Sequence, residues 1–275
     1  MEEKIIKIEG LKFSYEKGKE ILKGIDVEIK KGEKIAVLGN NGSGKTTFFM
    51  NLNGVYLFDE GNIYLKGRKI EKNKKDLNYL RENIGIVFQN PDNQIIGSTV
   101  YEELSFGLIN LGLSKKEIGE RIEEISQKLN LKKYLDTPPH YLSGGEKKRV
   151  CIGDIVAMNP EIIIFDEPTA ELDQLNVKIL EEILNDLSIE KKTIILSTHD
   201  IDFAFRFADR ILVFSDGEII GDGTSEEIFK NTELLKKANL KKPIVFEIYE
   251  ELLKKNIIKN CGNIPRTVDH LKKII

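Results

Sequence analysis

The sequence lacks any apolar run approaching the ~20 residues that a membrane-spanning helix requires. Residues 1–4 are charged and lack the apolar core of a signal peptide, so we expect no secretion signal. Cysteine is scarce: Cys151 and Cys261 lie far apart and have no metal-ligand spacing, which favours a reduced, intracellular protein. We therefore expect any membrane connection to pass through a partner protein.

The sequence also lacks an excess of positive or negative charge. The formal net charge is −3, and acidic and basic residues are interspersed, which leaves no basic footprint for nucleic acid. At 275 residues the chain can bury a sizeable core without a disulfide or a structural metal. This length suits one large domain with an appendage, or two modest domains.

What the sequence does contain is a phosphate-binding loop. Residues 39–46 read GNNGSGKT and fit the P-loop pattern G-x-x-x-x-G-K-[S/T]. The apolar run 34–38 before it predicts a buried strand, and the stretch 47–52 after it can form a helix. Such a loop turns backbone N–H groups onto an anion at the positive end of a helix. Lys45 can then reach the β- and γ-phosphates and the Thr46 hydroxyl can complete a Mg²⁺ shell, so we predict a nucleoside triphosphate site.

Polar residues follow three further predicted strands. Asp166 and Glu167 close the apolar run 162–165, and ligands bind at the carboxyl ends of strands in open α/β sheets. One carboxylate can hold Mg²⁺ while the other faces an attacking water, although two solvated carboxylates would give the same pattern. Gln89 can orient water or ligate Mg²⁺, and His199 can donate to a γ-phosphate or be structural. Tyr15 offers a ring for adenine, although aromatic residues in an alternating strand more often belong to the core.

A second helix start has features of an anion site. Residues 143–146 read SGGE, which fits a capping box between Ser143 and Glu146 and predicts a helix that runs through Arg149, Cys151 and Ile155. Its two glycines expose N–H groups at a positive helix end, as an anion site would, although a capped structural helix fits equally well. The chain thus has two such helix starts but one strand-end pair of carboxylates. We therefore predict an active site shared between two chains.

In their order and approximate spacing, these motifs resemble those of the ATP-binding subunits of ATP-binding cassette (ABC) transporters, over residues 1 to about 225. Residues 39–46 match the Walker A motif, Gln89 the Q-loop, and residues 142–146, LSGGE, the signature sequence. Residues 162–167 match Walker B with its catalytic glutamate, residues 170–173 the D-loop, and His199 the switch histidine.

Three further segments resemble the cobalt and energy-coupling factor (ECF) importer ATPases: FQNPDNQ at 88–94, TVYEELSFG at 99–107, and residues 234–240. Two residues depart from the family pattern. Glu146 replaces the commoner glutamine, and Glu171 stands where the D-loop often has glycine.

The resemblance implies an α/β P-loop NTPase cassette with a mainly parallel core sheet, an antiparallel β-subdomain, a helical insert and a C-terminal helical tail. The ABC domain would span residues 1–223, with the insert at about 90–158, and the tail would span 224–275. In the tail, Ile244, Ile248 and Leu252 lie four apart, which predicts an apolar stripe that covers either its own cassette or a second tail.

The resemblance also implies that ATP and Mg²⁺ are bound. The catalytic residues would be Glu167, His199, Gln89 and Lys45. The Mg²⁺ ligands would be Thr46, Gln89 and Asp166. The ATP-binding residues would be Tyr15, Gly39, Asn40, Gly42, Ser43, Gly44, Lys45, Thr46, Thr47, Ser143, Gly144, Gly145 and Asp173.

The function implied is ATP hydrolysis by an energy-coupling subunit, peripheral on the cytoplasmic face of the cell membrane, that drives uptake of a metal ion or vitamin. Its partners would be a second ATPase chain, identical or similar, and integral membrane subunits reached through the segment after Gln89. The alternative is a soluble, non-transport ABC ATPase of DNA maintenance or regulation. The DNA-maintenance class predicts coiled-coil arms or a basic surface, which the sequence lacks, and translation-related members usually carry two cassettes.

Overall fold

The computed structural model describes residues 3–16, 18–259 and 264–275, so Cys261 lies outside the described residues. The strands are β1 (Lys4–Ser14), β2 (Glu20–Lys30), β3 (Lys34–Leu38), β4 (Glu60–Leu65), β5 (Arg68–Lys69), β6 (Ile84–Val87), β7 (Ile162–Phe165), β8 (Thr193–Ser197), β9 (Arg210–Ser215) and β10 (Glu218–Thr224). The helices are α1 (Lys45–Leu52), α2 (Lys74–Asn83), α3 (Val100–Asn110), α4 (Lys115–Lys128), α5 (Gly144–Met158), α6 (Gln174–Ile189), α7 (Ile201–Phe207), α8 (Ser225–Lys230), α9 (Thr232–Ala238), α10 (Ile244–Lys254) and α11 (Val268–Lys272).

A six-stranded core sheet has the order β10-β9-β3-β8-β7-β6. Its pairings are parallel except that between β9 and β10. The register places Val37 opposite Ser197, and Phe165 opposite Leu196. Because β3, β6, β7 and β8 run in the same direction, the segments that follow them emerge at one edge of the sheet.

Both faces of the core sheet are covered. On one face, Ile35 and Val37 pack into a core that also contains Phe48 of α1 and the antiparallel sheet β2-β1-β4-β5. On the other face, Ala36 and Leu38 pack into a core formed with α3 to α9. A strand that is buried on both faces needs an apolar residue at every position, which explains the uninterrupted Ile-Ile-Ile-Phe of β7. The predicted α/β class, with a mainly parallel core and an antiparallel subdomain, is confirmed.

Helices fill the segment between β6 and β7. Helix α4 begins with a capping box between Ser114 and Glu117, and α5 packs on both α3 and α4. Leu104 of α3 and Ile122 of α4 belong to the same buried core as the sheet residue Phe165. The helical segment is therefore anchored to the sheet rather than separate from it.

The tail packs on the cassette through aromatic residues. Phe229 and Phe246 are fully buried in the core that contains the central sheet. The predicted stripe is not the face that covers the cassette: Ile244 and Ile248 are 61% and 43% exposed, and Leu252 packs in a small cluster within the tail. Helix α10 instead buries Phe246 and Tyr249, whose larger apolar surfaces gain more from burial than isoleucine does. Across the described ranges, no helix combines the length and the apolar character needed to cross a bilayer.

Candidate nucleotide-binding site

The loop between β3 and α1 has the backbone shape that a phosphate cradle needs. Gly39, Gly42 and Gly44 have φ angles of 150°, 79° and 105°, a region that favours glycine. At Gly39 a Cβ would also lie 2.3 Å from the carbonyl oxygen of Phe214. Glycine is therefore required here for both conformation and space.

Lys45 lies inside this loop. It is 6% exposed, and its Nζ donates to the carbonyl oxygens of Gly39 at 2.7 Å and of Asn40 at 3.2 Å. Burial lowers the pKa of the Lys45 ammonium, and the nearby carboxylates of Glu167 and Asp166 act in the opposite direction. The ammonium thus lies within the ring of backbone that would surround a phosphate.

A second polar group of the loop, the Ser43 hydroxyl, could also bind a phosphate. The hydroxyl oxygen of Ser43 is buried, and it has no hydrogen-bond partner in the part of the chain that the structure describes. Buried polar atoms normally have a partner, and a phosphate oxygen would supply one. The loop therefore fits an anion in chemistry as well as in shape.

Asp166 connects the ends of two strands with the start of a helix. It follows β7, and its carboxylate accepts hydrogen bonds from Thr46 Oγ1 at 2.7 Å and from Ser197 Oγ at 2.6 Å. The same Ser197 hydroxyl accepts the backbone N–H of Glu167 at 2.8 Å. The ends of β7 and β8 and the start of α1 are thereby held together around one carboxylate.

Glu167 faces away from Asp166 and towards His199. Its backbone has a φ of 46°, and its Oε1 lies 3.1 Å from His199 Nε2. The backbone N–H of His199 donates to Glu167 Oε2 at 3.2 Å, and Nε2 lies 2.8 Å from Asn41 Oδ1. Burial raises the pKa of the Glu167 carboxyl, opposed by the charges of His199 and Lys45. A carboxylate made more basic in this way suits proton abstraction from water.

The P-loop, Asp166 and Glu167 line one cleft with a volume of about 220 Å³, and His199 lies beside Glu167 outside its wall. The predicted site residues on its wall are Tyr15, Gly42, Ser43, Gly44, Lys45, Thr46, Thr47, Gln89, Asp166 and Glu167. Tyr15 is 56% exposed at the rim, and its hydroxyl shares a hydrogen bond of 2.9 Å with Thr47 Oγ1. Its ring meets Phe13 and Tyr56 edge-on, so it joins an aromatic cluster and still presents a face to solvent.

The signature segment is not part of this cleft wall. Ser143 caps α5 in the predicted capping box with Glu146, which is confirmed, and Ser143 and Gly144 are exposed. Glu146 also accepts a hydrogen bond from the Tyr134 hydroxyl. That bond, followed by the backbone bond from Ser143, lowers the pKa of Glu146 to about 2. The acidic residue is therefore held as a carboxylate by its own helix start and by one tyrosine.

The D-loop also lies outside the cleft wall. Asp173 caps α6 by accepting the backbone N–H of Asn176 at 2.8 Å. Glu171 adopts a φ of 62°, a conformation that glycine reaches without strain. This explains in physical terms why glycine suits that position.

The donor atoms at the strand ends fit Mg²⁺. Thr46 and Asp166 contribute a hydroxyl and a carboxylate whose oxygens are 2.7 Å apart, and Gln89 borders the same cleft with an amide. Mg²⁺ binds oxygen ligands and usually takes only one or two carboxylates from the protein. Among the described residues, no group of three or more His, Cys, Asp or Glu side chains is arranged to hold a metal ion.

Sequence reasoning missed two polar residues of the site. Ser197 links Asp166 to the Glu167 backbone, and Asn41 contacts His199. The signal for Ser197 was a hydroxyl directly after the apolar residues Ile194, Ile195 and Leu196 of β8. Asn41 gave no signal, because the middle positions of the P-loop pattern accept any residue.

Comparisons with known proteins agree with this geometry. The family model described as ABC transporter matches residues 22–170. The energy-coupling factor transporter ATP-binding protein EcfA of Methanocaldococcus jannaschii is 44% identical over 98% of this chain and 99% of its own length.

Solved structures give the same result. The structure of cbiO1 from Clostridium perfringens, described as part of the ABC transporter complex cbiONQ, superposes with a TM-score of 0.76 at 38% identity. It covers 92% of this chain and 100% of that chain. The cassette MJ0796, in a dimeric post-hydrolysis state bound to ADP and Pi, has a TM-score of 0.74 at 31% identity over 80% of this chain and 99% of that one. With these similarities and the site above, the chain belongs to the ABC transporter family, among the ATP-binding subunits of energy-coupling factor transporters.

Proposed function

We propose that this ATPase works as one of two paired cassettes that drive uptake of a metal ion or vitamin through integral membrane subunits. The observation that carries the proposal is the meeting of P-loop, Asp166, Glu167, His199 and Gln89 at one edge of the core sheet. The importer class and the kind of cargo rest on the similarity to energy-coupling factor and cobalt-type ATPases.

Within one cassette the residues divide the work of hydrolysis. Lys45 and His199 donate to the γ-phosphate and offset its charge, while Glu167 accepts a proton from the attacking water. Mg²⁺, held by Thr46, Asp166 and Gln89, would neutralise charge on the phosphates. Little covalent chemistry is required of the protein, so positioning and electrostatics supply most of the rate.

The second half of each site comes from the partner cassette. The exposed α5 start, with Ser143, Gly144 and Gly145, is a positive helix end that makes no contribution to its own cleft wall. Asp173 of the D-loop is an exposed helix cap, and the Asn176 that it caps lies against Gly145 of the signature segment. A head-to-tail pair would bring both segments onto the nucleotide of the other chain, and ATP would close that pair.

The force is passed to the membrane subunits through the segment after Gln89. Large apolar side chains are exposed there, with Ile96, Phe106 and Ile109 at 69%, 52% and 60%. Beside Ile96 lies a cleft of about 380 Å³ that is also lined by Pro138 and Pro139. An apolar surface of this kind marks an interaction site, and here it adjoins the chain that leads from the phosphate cleft.

Co-purification tests this function. The tagged chain, isolated from detergent-solubilised membranes, should bring integral membrane subunits with it and should hydrolyse ATP. Phe106→Glu should release those subunits and leave the ATPase activity of the isolated chain in place. Ile189→Glu, which alters an 80% exposed residue at the end of α6, serves as the matched control and should retain them. Recovery of the chain without any membrane subunit would instead favour an ABC ATPase that does not transport.

A further inference from the structure

Lys148 is a buried lysine in the helix that begins at the signature sequence. It lies in the second turn of α5 and is only 2% exposed. Lysine is almost never fully buried unless its charge has partners. The roles proposed above make no use of this cation, although it lies between two of the segments they involve.

The partners of Lys148 are the backbone carbonyls at the start of the Q-loop. Its Nζ donates to the carbonyl oxygen of Phe88 at 2.9 Å and to that of Gln89 at 2.8 Å. These two residues directly follow β6, where the ladder hydrogen bonds of the strand end. The ammonium therefore fixes the peptide groups from which the Gln89 side chain projects.

The surroundings keep this ammonium in place. Burial lowers the pKa of Lys148, whereas the carboxylates of Asp166, Glu171 and Glu167 act in the opposite direction. A buried cation that donates to two carbonyls near three carboxylates loses more when it is displaced than an exposed lysine would. The neighbouring Lys147 differs, since it reaches the exposed surface carboxylate of Asp92.

The helix that carries Lys148 is also tied to the D-loop side of the chain. Arg149 donates to Asn176 Oδ1 at 2.7 Å, and Asn176 is the residue that Asp173 caps. The start of α5 is thus linked on one side to Gln89 and on the other to the start of α6. As long as the hydrogen bonds of Lys148 remain intact, the backbone at Gln89 must move together with the signature helix.

We propose that Lys148 is a positioning residue for ATP hydrolysis: it fixes the Gln89 backbone to the signature helix, so that the Gln89 amide reaches the phosphate cleft only when that helix is in place. The inference rests on the proposed role of Gln89 at the cleft. A purely structural lysine would satisfy the same two carbonyls but would affect stability alone, without acting through the Gln89 side chain.

Three substitutions separate the contributions of Lys148. Lys148→Met keeps the side-chain length but removes the hydrogen-bond donors and the positive charge. Lys148→Gln keeps a hydrogen-bond donor without the charge, and Lys148→Arg keeps both the donors and the charge. Lys148→Met should lower kcat about tenfold, as small misplacements of positioned groups do, with the KM for ATP within about twofold of wild type. It should also raise the Mg²⁺ concentration needed for half-maximal activity. Lys148→Arg should restore most of the activity, and Lys148→Gln should lie between.

The matched control is Lys192→Met. Lys192 also donates to a backbone carbonyl, that of Asn159 at 3.3 Å, just beyond the far end of the same helix. Its removal should leave kcat, KM and the Mg²⁺ requirement unchanged. A loss of activity equal to that of Lys148→Met would mean that any such lysine matters to the fold of the helix, and would overturn the proposal.

The deciding measurement is a double-mutant cycle of kcat with Gln89→Ala in the full chain. If Lys148 acts through Gln89, adding Lys148→Met to Gln89→Ala should lower kcat by less than about twofold. A second tenfold loss in that background, or an unchanged kcat for Lys148→Met alone, would overturn the inference. If the Met variant does not fold, Lys148→Gln provides the same cycle. Should Gln89→Ala itself leave kcat unchanged, the role of Gln89 fails and the inference with it, while wild-type ATP turnover would leave the proposed function standing.

Discussion

The phosphate cleft and the signature helix start are the two helix ends that we propose bind the phosphates of ATP, and they are built in opposite ways. In the cleft, Lys45 and Asp166 are buried and bonded to groups from several strand ends. At the helix start, Ser143 and Gly144 are exposed, and their capping partner Glu146 is bonded to its own helix and to Tyr134. One half-site is assembled by the tertiary fold, whereas the other is assembled by local sequence.

This difference fits the proposal that the two half-sites serve one nucleotide. The cleft already brings together buried Lys45, Asp166 and Glu167, with the exposed His199 beside Glu167, as the proposed hydrolysis requires. The exposed half is a capped helix end, whose first-turn N–H groups we propose approach a phosphate held by another chain. A locally built and exposed segment keeps its shape while it moves on and off a partner, and a buried network does not have to move.

The largest expected effect is that of Glu167→Gln in the buried half. The amide cannot take a proton from water, so turnover should fall at least about 100-fold while ATP binding is retained. The variant should accumulate as an ATP-bound dimer, visible as a doubled mass in the presence of ATP. Glu182→Gln, on the exposed surface of α6, should behave like wild type. Near-normal hydrolysis by Glu167→Gln would remove Glu167 from the role of base.

Lys45→Ala should have the next largest effect, and on a different quantity. Removing a charged donor from the phosphates should weaken ATP binding about 10- to 100-fold, measured by titration with a fluorescent ATP analogue. Lys178→Ala, an exposed lysine on α6, is the control. Unchanged nucleotide affinity in the Lys45 variant would contradict the P-loop assignment. The buried cation would then not distinguish the cleft from the helix start in ATP binding.

The smallest effect concerns the helix start and its dependence on pH. The pKa of Glu146 is lowered from 4.5 to about 2, so its carboxylate stabilises the fold above about pH 4.5, and this stabilisation is lost as the pH falls towards 2. Glu146→Gln should therefore unfold a few degrees below wild type at pH 7, for a cost of about 1 kcal/mol at this partly exposed site.

The pH dependence of that difference is the test. The difference in Tm between wild type and Glu146→Gln should shrink as the pH falls from 4.5 to 2. At pH 7, Glu146→Gln should lower Tm by less when it is made in a Tyr134→Phe background. ATP binding to the cleft should not change in either variant. A gap that stays constant across this pH range would mean that the carboxylate is not what holds the helix start.

Much of the fold and the site was predictable from the sequence because the signals are local. The P-loop glycines, the capping box at Ser143 and the uninterrupted apolar strand 162–165 each depend on a few neighbouring residues. Contacts between distant segments were not predictable in this way. Ser197 and Lys148 act through residues about thirty or more positions away, which no periodicity reports.

The tail shows a second limit. A four-residue spacing correctly placed Ile244 and Ile248 on one helical face, yet Phe246 and Tyr249 are the residues that α10 buries. Two apolar faces compete on this helix. The aromatic face is the buried one, with Phe246 in the core that contains the sheet and Tyr249 in a cluster within the tail. Sequence periodicity finds such faces but does not rank them, because the ranking depends on the cavity that the rest of the chain offers.

The central claim, a site shared between two chains, is tested most directly by mixing two defective chains. Lys45→Ala damages the buried half-site, and Ser143→Arg blocks the exposed half-site with bulk. Each variant alone should trap little ATP. A mixed dimer should contain one site with both defects and one with neither, so trapped nucleotide should rise on mixing. If mixed dimers form and the trapped nucleotide does not rise, each chain holds its nucleotide alone and the shared site is contradicted.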